Sequence, residues 1–221
     1  MRQYTVEFIG TFFLVLAISL MENSLIENPA VVVGLMYMAM LYFGARISGA
    51  HYNPAISCAL WFRGVMPTNF IPGYLVAQYL GACVALLLDF KLTGTLFLPD
   101  VSPLDSIWSV CLIEILFTFV LAYIFLVVRT IPHFMQFPLY GLILGFTLVA
   151  LATIGGLFNP AVAAAALTIN ALYTEGVAVH LMHNLLVYIL SPIFGGFLAG
   201  CLFDFFEAPA RGEFVGVDAR K

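Results

Sequence analysis

Charge is scarce in this chain. Only 9% of its 221 residues are Asp, Glu, Lys or Arg, against roughly 25% in soluble domains, and that excludes an ordinary soluble globule. Eight basic residues against 12 acidic ones leave a modest formal net charge of −4, spread over loops, which argues against a nucleic-acid partner. Cysteine is also sparse. Cys58, Cys83, Cys111 and Cys201 lie in or beside apolar segments, with neither paired metal-ligand spacing nor a disulfide framework, and are expected to be buried packing residues. No Ser/His/Asp set, metal-ligand cluster or phosphate-binding glycine loop is present. The sequence therefore points away from an enzyme and implies no cofactor and no metal.

Apolar sequence takes the place of charge. Hydrophobic residues make up 63% of the chain and fall into long uncharged runs of the kind that cross a membrane. Six spans are expected, at roughly 4–21, 30–45, 70–88, 106–128, 137–153 and 179–203. The first is a usable span with no cleavable signal pattern after it, and the expectation is a polytopic membrane protein built from one domain over 1–221, with 209–221 as a cytoplasmic tail. With the N-terminus inside, Arg2, Arg46, Arg63, Arg129, Arg211, Arg220 and Lys221 fall on the cytoplasmic side and only Lys91 falls outside. That bias places both termini in the cytoplasm.

The two halves repeat one another. Glu7-Phe8-Ile9-Gly10-Thr11 in the first span matches Glu114-Ile115-Leu116-Phe117-Thr118 in the fourth. Each is a lone carboxylate in an apolar helix with Thr one turn later. From Glu7 to Asn53 is 46 residues and from Glu114 to Asn159 is 45, with Gly49 and Gly155 each four before the Asn. The two units run over approximately 1–91 and 105–208. Three spans per unit is an odd number, so the units must lie in opposite orientations, an inverted repeat with its site near the midplane.

Asn-Pro-Ala occurs three times, at Asn28, Asn53 and Asn159. Asn favours the helix N-cap and Pro the first helical position, so each copy should start a helix. After Asn28 the apolar stretch is long enough for a span, and this copy reads as a plain cap. After Asn53 the apolar segment ends at Trp61-Phe62-Arg63-Gly64, and after Asn159 it ends near Asn170. About ten helical residues reach ~15 Å, half a hydrocarbon core. These two are read as half-helices whose lead-in backbone must be buried or line a watery cavity. Their positive dipole ends would meet at the midplane and disfavour a cation, while Asn53 and Asn159 offer amide donors to a neutral solute. Asn53, Ala55, Asn159 and Ala161 are thus the candidate midplane residues.

On these features, with "EFIGTFFLV", "SGAHYNPAIS", "AQYLGA", "NPAVAAA" and "LSPIFGGFLAG" spread over both halves, the chain resembles the aquaporin (major intrinsic protein) family. The resemblance implies an all-α membrane protein with six transmembrane helices plus two re-entrant half-helices, a pore in each subunit and a homotetramer surrounded by membrane lipid, in the plasma (inner) membrane. It also implies an outer constriction of four positions. Here these are Val33, Ala152, Gly156 and Val162, with Val162 in place of the family's arginine and Ala163 where glycerol-conducting members carry aspartate. The expected constriction is wide, apolar and uncharged. Within the family, filters without arginine, some with valine, are associated with passage of arsenite-type metalloids.

Other residues divide between two roles. Glu7 and Glu114 could be a proton relay, but the repeat favours carboxylates that brace the lead-in loop of their own half, with Gln78 tying the same backbone. His51 is a packing or a pore-lining residue. His133, His180 and His183 are read as solvated. Gly141 with Gly145, and Gly196 with Gly200, have the spacing of close helix contact. The leading expectation is a passive channel for water and small neutral solutes such as glycerol, urea or arsenite. The alternatives are a proton-coupled secondary transporter using Glu7 or Glu114, and a non-conducting junction or scaffold protein.

Overall fold

The computed structural model describes residues 1–22, 24–98, 106–131, 139–174 and 178–206, and for 178–185 the backbone path alone. The expected tail 209–221 and His133 lie outside the described residues, as do the side chains of His180 and His183. All described elements are helical: α1 (Arg2–Glu22), α2 (Pro29–Gly44), α3 (Pro54–Phe62), a 3-10 turn (Thr68–Phe70) leading into α4 (Ile71–Thr93), α5 (Ile107–Thr130), α6 (Tyr140–Ile154), α7 (Pro160–Tyr173) and α8 (Ala178–Phe206).

Four described stretches are long and apolar enough to cross a membrane, namely Arg2–Glu22, Thr68–Thr93, Ile107–Thr130 and Leu186–Phe206. The second helix has the length of its expected span, 30–45, the fifth is slightly shorter than 137–153, and both fall short of a full membrane crossing. α2 has 16 residues and α6 has 15, about 24 and 23 Å of helix. Residues that do not continue a helix bound them. Pro29 opens α2, and Gly155, at φ +91°, closes α6. Asn28 does precede α2, but its side chain makes no capping hydrogen bond. α3 ends at Phe62 as the sequence suggests, whereas α7 runs on to Tyr173 and has 14 residues.

The packing pairs the halves. α1 lies along α4 and α5 along α8, α2 packs on α6, and each short helix sits against the last helix of the other half, α3 on α8 and α7 on α4. Glycine makes the equivalent crossings possible. A Cβ on Gly81 would strike the carbonyl oxygen of Phe8, and one on Gly195 would stand 2.5 Å from that of Ile115. Phe8 and Ile115 are 107 positions apart, the same interval as Glu7 and Glu114. One contact is therefore built twice. The four-spaced glycines also sit at close crossings: a Cβ on Gly196 would lie 2.5 Å from the Ala55 oxygen, and one on Gly200 3.0 Å from the Ala59 oxygen.

Large apolar side chains cover the outside, among them Leu80, Leu112, Leu116, Phe146, Leu190 and Phe194. Such a surface suits lipid, which is as apolar as the side chains themselves. The same reason corrects the reading of the cysteines. Cys58 is buried, but Cys83 and Cys111 are half-buried and Cys201 is exposed, because an apolar residue of a membrane helix need not face the core. Two expected cytoplasmic arginines lock helices together. Arg63 bonds Asp204 at 2.7 Å and lies over the Phe203 ring, while Arg129 donates to the Ala45 carbonyl at 3.0 Å.

Candidate functional site

The two short helices begin inside the protein. Asn53 and Asn159 are each 4% exposed and act as N-caps. Asn53 Oδ1 accepts from Ala55 N at 2.8 Å, and Asn159 Oδ1 accepts from Ala161 N at 3.0 Å. Each amide nitrogen then crosses to the opposite half. Asn53 Nδ2 donates to the Phe158 carbonyl at 2.7 Å, and Asn159 Nδ2 to the Tyr52 carbonyl at 3.0 Å. Tyr52 directly precedes Asn53 and Phe158 directly precedes Asn159. The helices α3 and α7 therefore start head to head and run apart. α3 is followed by its C-cap Arg63, tied to Asp204 at the end of α8, and α7 ends where Tyr173 packs on Phe90 at the end of α4. Ala55 and Ala161 sit at this junction, fully buried.

The lead-in segments are strained in matching ways. Tyr52 has φ +52° and Phe158 φ +51°, with Ala50 at +57°, a region that non-glycine residues seldom occupy and that persists only when its surroundings hold it. Here the holders are the two buried carboxylates. Glu7 accepts His51 N at 3.0 Å, Tyr52 N at 2.7 Å and Gln78 Nε2 at 2.8 Å. Glu114 accepts Leu157 N at 2.6 Å and Phe158 N at 2.9 Å. Each carboxylate thus takes two consecutive backbone N–H groups that no helix or sheet satisfies. The halves differ at one point. Where the first has Gln78, the second has Pro192, just as Gly81 answers to Gly195, so Glu114 lacks the third bond.

Two cavities lie along one path through this junction. The outer, of about 330 Å³, is bordered by Val33, Ala152 and Gly156, and also by Glu22, Phe97 and Tyr188. The inner, of about 20 Å³, is bordered by both Asn53 and Asn159. Ile18, Leu148, Leu157 and Phe158 line both, so the cavities adjoin. An inner volume of that size holds about one water, since a single water needs ~10–15 Å³ by this measure. The outer cavity is apolar in its side chains except at exposed Glu22 and buried Tyr188. The N–H groups of Leu157 and Phe158 are taken by Glu114, so these two residues can offer a solute only carbonyl oxygen.

Three of the four expected constriction residues border the outer cavity. Val162 does not. It is fully buried in a cluster with Val15, Ala82, Phe97 and Ala161, against which Leu157 packs. Phe97 and Leu157, of that same cluster, also line the cavity. Phe97 is held there by Asn170, whose Nδ2 donates to its carbonyl at 2.9 Å. His51 borders neither cavity. It packs between Tyr74 and Phe125, with Nδ1 3.0 Å from Ser57 Oγ, and it serves the site through its backbone N–H to Glu7. Sequence reasoning missed Tyr52, Phe158, Phe97, Tyr188 and Tyr37. For the first two a signal existed, an aromatic residue immediately before Asn-Pro-Ala in both halves.

Comparison with known proteins adds four findings. A family model described as "Major intrinsic protein" matches residues 1–203. Aquaporin NIP1-1 of Zea mays is 32% identical over 230 residues, spanning 93% of this chain and 76% of the relative. The glycerol uptake facilitator protein-like 6 of Lactiplantibacillus plantarum is 31% identical over 213 residues, 90% of this chain and 95% of the relative. Among solved structures, the aquaglyceroporin of Plasmodium falciparum superposes with a TM-score of 0.81 at 22% identity, covering 95% of this chain and 98% of that one.

Proposed function

The chain belongs to the major intrinsic protein family, and from that premise we propose that it is a passive pore whose wide, largely apolar outer mouth admits glycerol, urea and trivalent arsenic hydroxide as well as water. With the family comes the coarser statement, a membrane-embedded channel for water and small solutes. The observation that carries the finer reading is the outer cavity of about 330 Å³, bordered by Val33, Ala152 and Gly156 and bearing no cationic side chain among the described residues. It leads to the midplane, where the N-termini of α3 and α7 meet. Two helix N-termini, each worth roughly +0.5 charge, repel a cation there, while the amides of Asn53 and Asn159 offer donors to a neutral molecule. The inner cavity of about 20 Å³ is smaller than glycerol, so a solute of that size passes only as side chains such as Leu148 shift rotamer. We further propose a homotetramer in the plasma membrane, both termini cytoplasmic, with inverted units over about 1–91 and 105–208.

A proton-coupled mechanism through Glu7 or Glu114 is disfavoured by the bonds these carboxylates already make to backbone N–H groups. A scaffold with a closed pore would carry no flux at all. Stopped-flow light scattering on proteoliposomes tests the reading, with water, glycerol, urea and arsenite each driven by its own gradient. The expected result is flux linear in gradient, without saturation and without dependence on a proton gradient. Rapid water flux with exclusion of all three solutes would sink the wide-mouth proposal.

A further inference from the structure

Resting on that channel reading, we propose that the Tyr37 hydroxyl is the third hydrogen-bonding side chain of the midplane, beside the backbone carbonyls of Leu157 and Phe158, and favours solutes that can donate as well as accept a hydrogen bond. Tyr37 stands on α2 one turn beyond Val33, is 2% exposed, and its hydroxyl has no hydrogen-bond partner among the described residues. Buried hydroxyl groups are nearly always paired, and one that is not calls for a reason. The reason we infer lies in the cavity that the residue borders. Tyr37 lines the same inner cavity as Asn53 and Asn159, and every other side chain around that cavity is apolar.

The donor and acceptor inventory shows what the hydroxyl adds. Each Asn has spent its amide oxygen on the cap and one amide hydrogen on the facing carbonyl. Of its two amide hydrogens one remains. Without Tyr37, the side chains at the midplane would present donors only. A phenol both accepts and donates, so a passing molecule can accept from the amides through its oxygen while giving its own O–H or N–H to Tyr37. Water, polyols and urea can do this. The seat gives a molecule that accepts but cannot donate no such gain, and a phenol supplies no charge to hold a cation.

The test uses the full-length protein in proteoliposomes, with Tyr37→Phe and Tyr37→Leu beside the unmutated chain. Tyr37→Phe keeps the ring and removes one oxygen. It should lower urea and glycerol flux about fivefold, the size of one net hydrogen bond in the barrier, and steepen the temperature dependence of water flux. Its melting temperature in detergent should stay level or rise, since no protein group loses a partner. Tyr37→Leu opens more room and should still conduct these solutes poorly. If either variant conducts them as well as or better than the unmutated protein, Tyr37 is a plug or a bystander and the inference falls, while the channel reading stands. A protein that raises permeability to nothing, water included, would overturn both.

Discussion

Asn53 Nδ2 lies 2.7 Å from the carbonyl oxygen of Phe158, a bond that spans 105 positions of the chain, and its counterpart runs from Asn159 to Tyr52 at 3.0 Å. The two half-helices are therefore held by an exchange between halves, with each Asn acting as cap and tie together. Replacing Asn53 with Ala removes both. We expect a loss of about 2–3 kcal/mol of stability, the sum of a lost cap and a lost buried hydrogen bond, read as a lower midpoint of thermal unfolding in detergent. Asn159→Ala should cost a similar amount. A variant as stable as the parent would show that the tie contributes little.

Glu7 and Glu114 each accept two backbone N–H groups, which a carboxamide cannot do with its nitrogen. Glu7→Gln and Glu114→Gln each leave one buried N–H facing an NH₂ group, at a cost of about 1–3 kcal/mol. The Glu7 variant should suffer more, because Glu7 also accepts from Gln78. Yield of folded protein and thermal midpoint are the measurements. A fully stable variant that lost only proton-driven uptake would restore the transporter alternative.

Gly196 lets α8 approach α3, and a Cβ there would stand 2.5 Å from the Ala55 carbonyl oxygen. The obstacle is backbone at the start of a half-helix, so it cannot turn aside. Gly196→Ala should destabilise by roughly 1–3 kcal/mol, the range for overpacking, and should lower water flux by displacing Asn53. Flux and stability equal to the parent would mean that the helices separate without disturbing the junction.

Val162→Arg would not simply rebuild a charged filter. Val162 is buried in the cluster that holds Phe97 and against which Leu157 packs, so the guanidinium would begin in apolar surroundings. Leaving a buried charge uncompensated costs roughly 3–5 kcal/mol, and the single variant should express poorly. Adding Phe97→Ala should open a path to the outer cavity, recover stability and exclude glycerol while passing water. Equal behaviour of single and double variants, measured by size-exclusion profile and solute flux, would show that Phe97 is not the obstacle.

What the sequence determined by itself is the repeated frame: the carboxylates at 7 and 114, the two asparagines that begin half-helices, and the glycines at the crossings. Each is legible because its physics is local or periodic. A lone carboxylate in an apolar helix needs nearby donors, Asn-Pro begins a helix, and a recurrence near 107 residues places the same parts twice. Tertiary structure decided what faces what. Tyr37, Phe97 and Tyr188 carry no mark that turns them toward a cavity, and Val162 carries none that turns it away. In a soluble protein, alternation of polar and apolar residues reports the buried face of a helix. In a membrane protein lipid and core are both apolar, so hydropathy is nearly the same around the helix and the pore-facing side stays unwritten. Asn28 shows the same limit: it shares its tripeptide with Asn53 and Asn159, yet it stands exposed without a capping bond, whereas those two are buried where one half packs against the other and gives each a second partner.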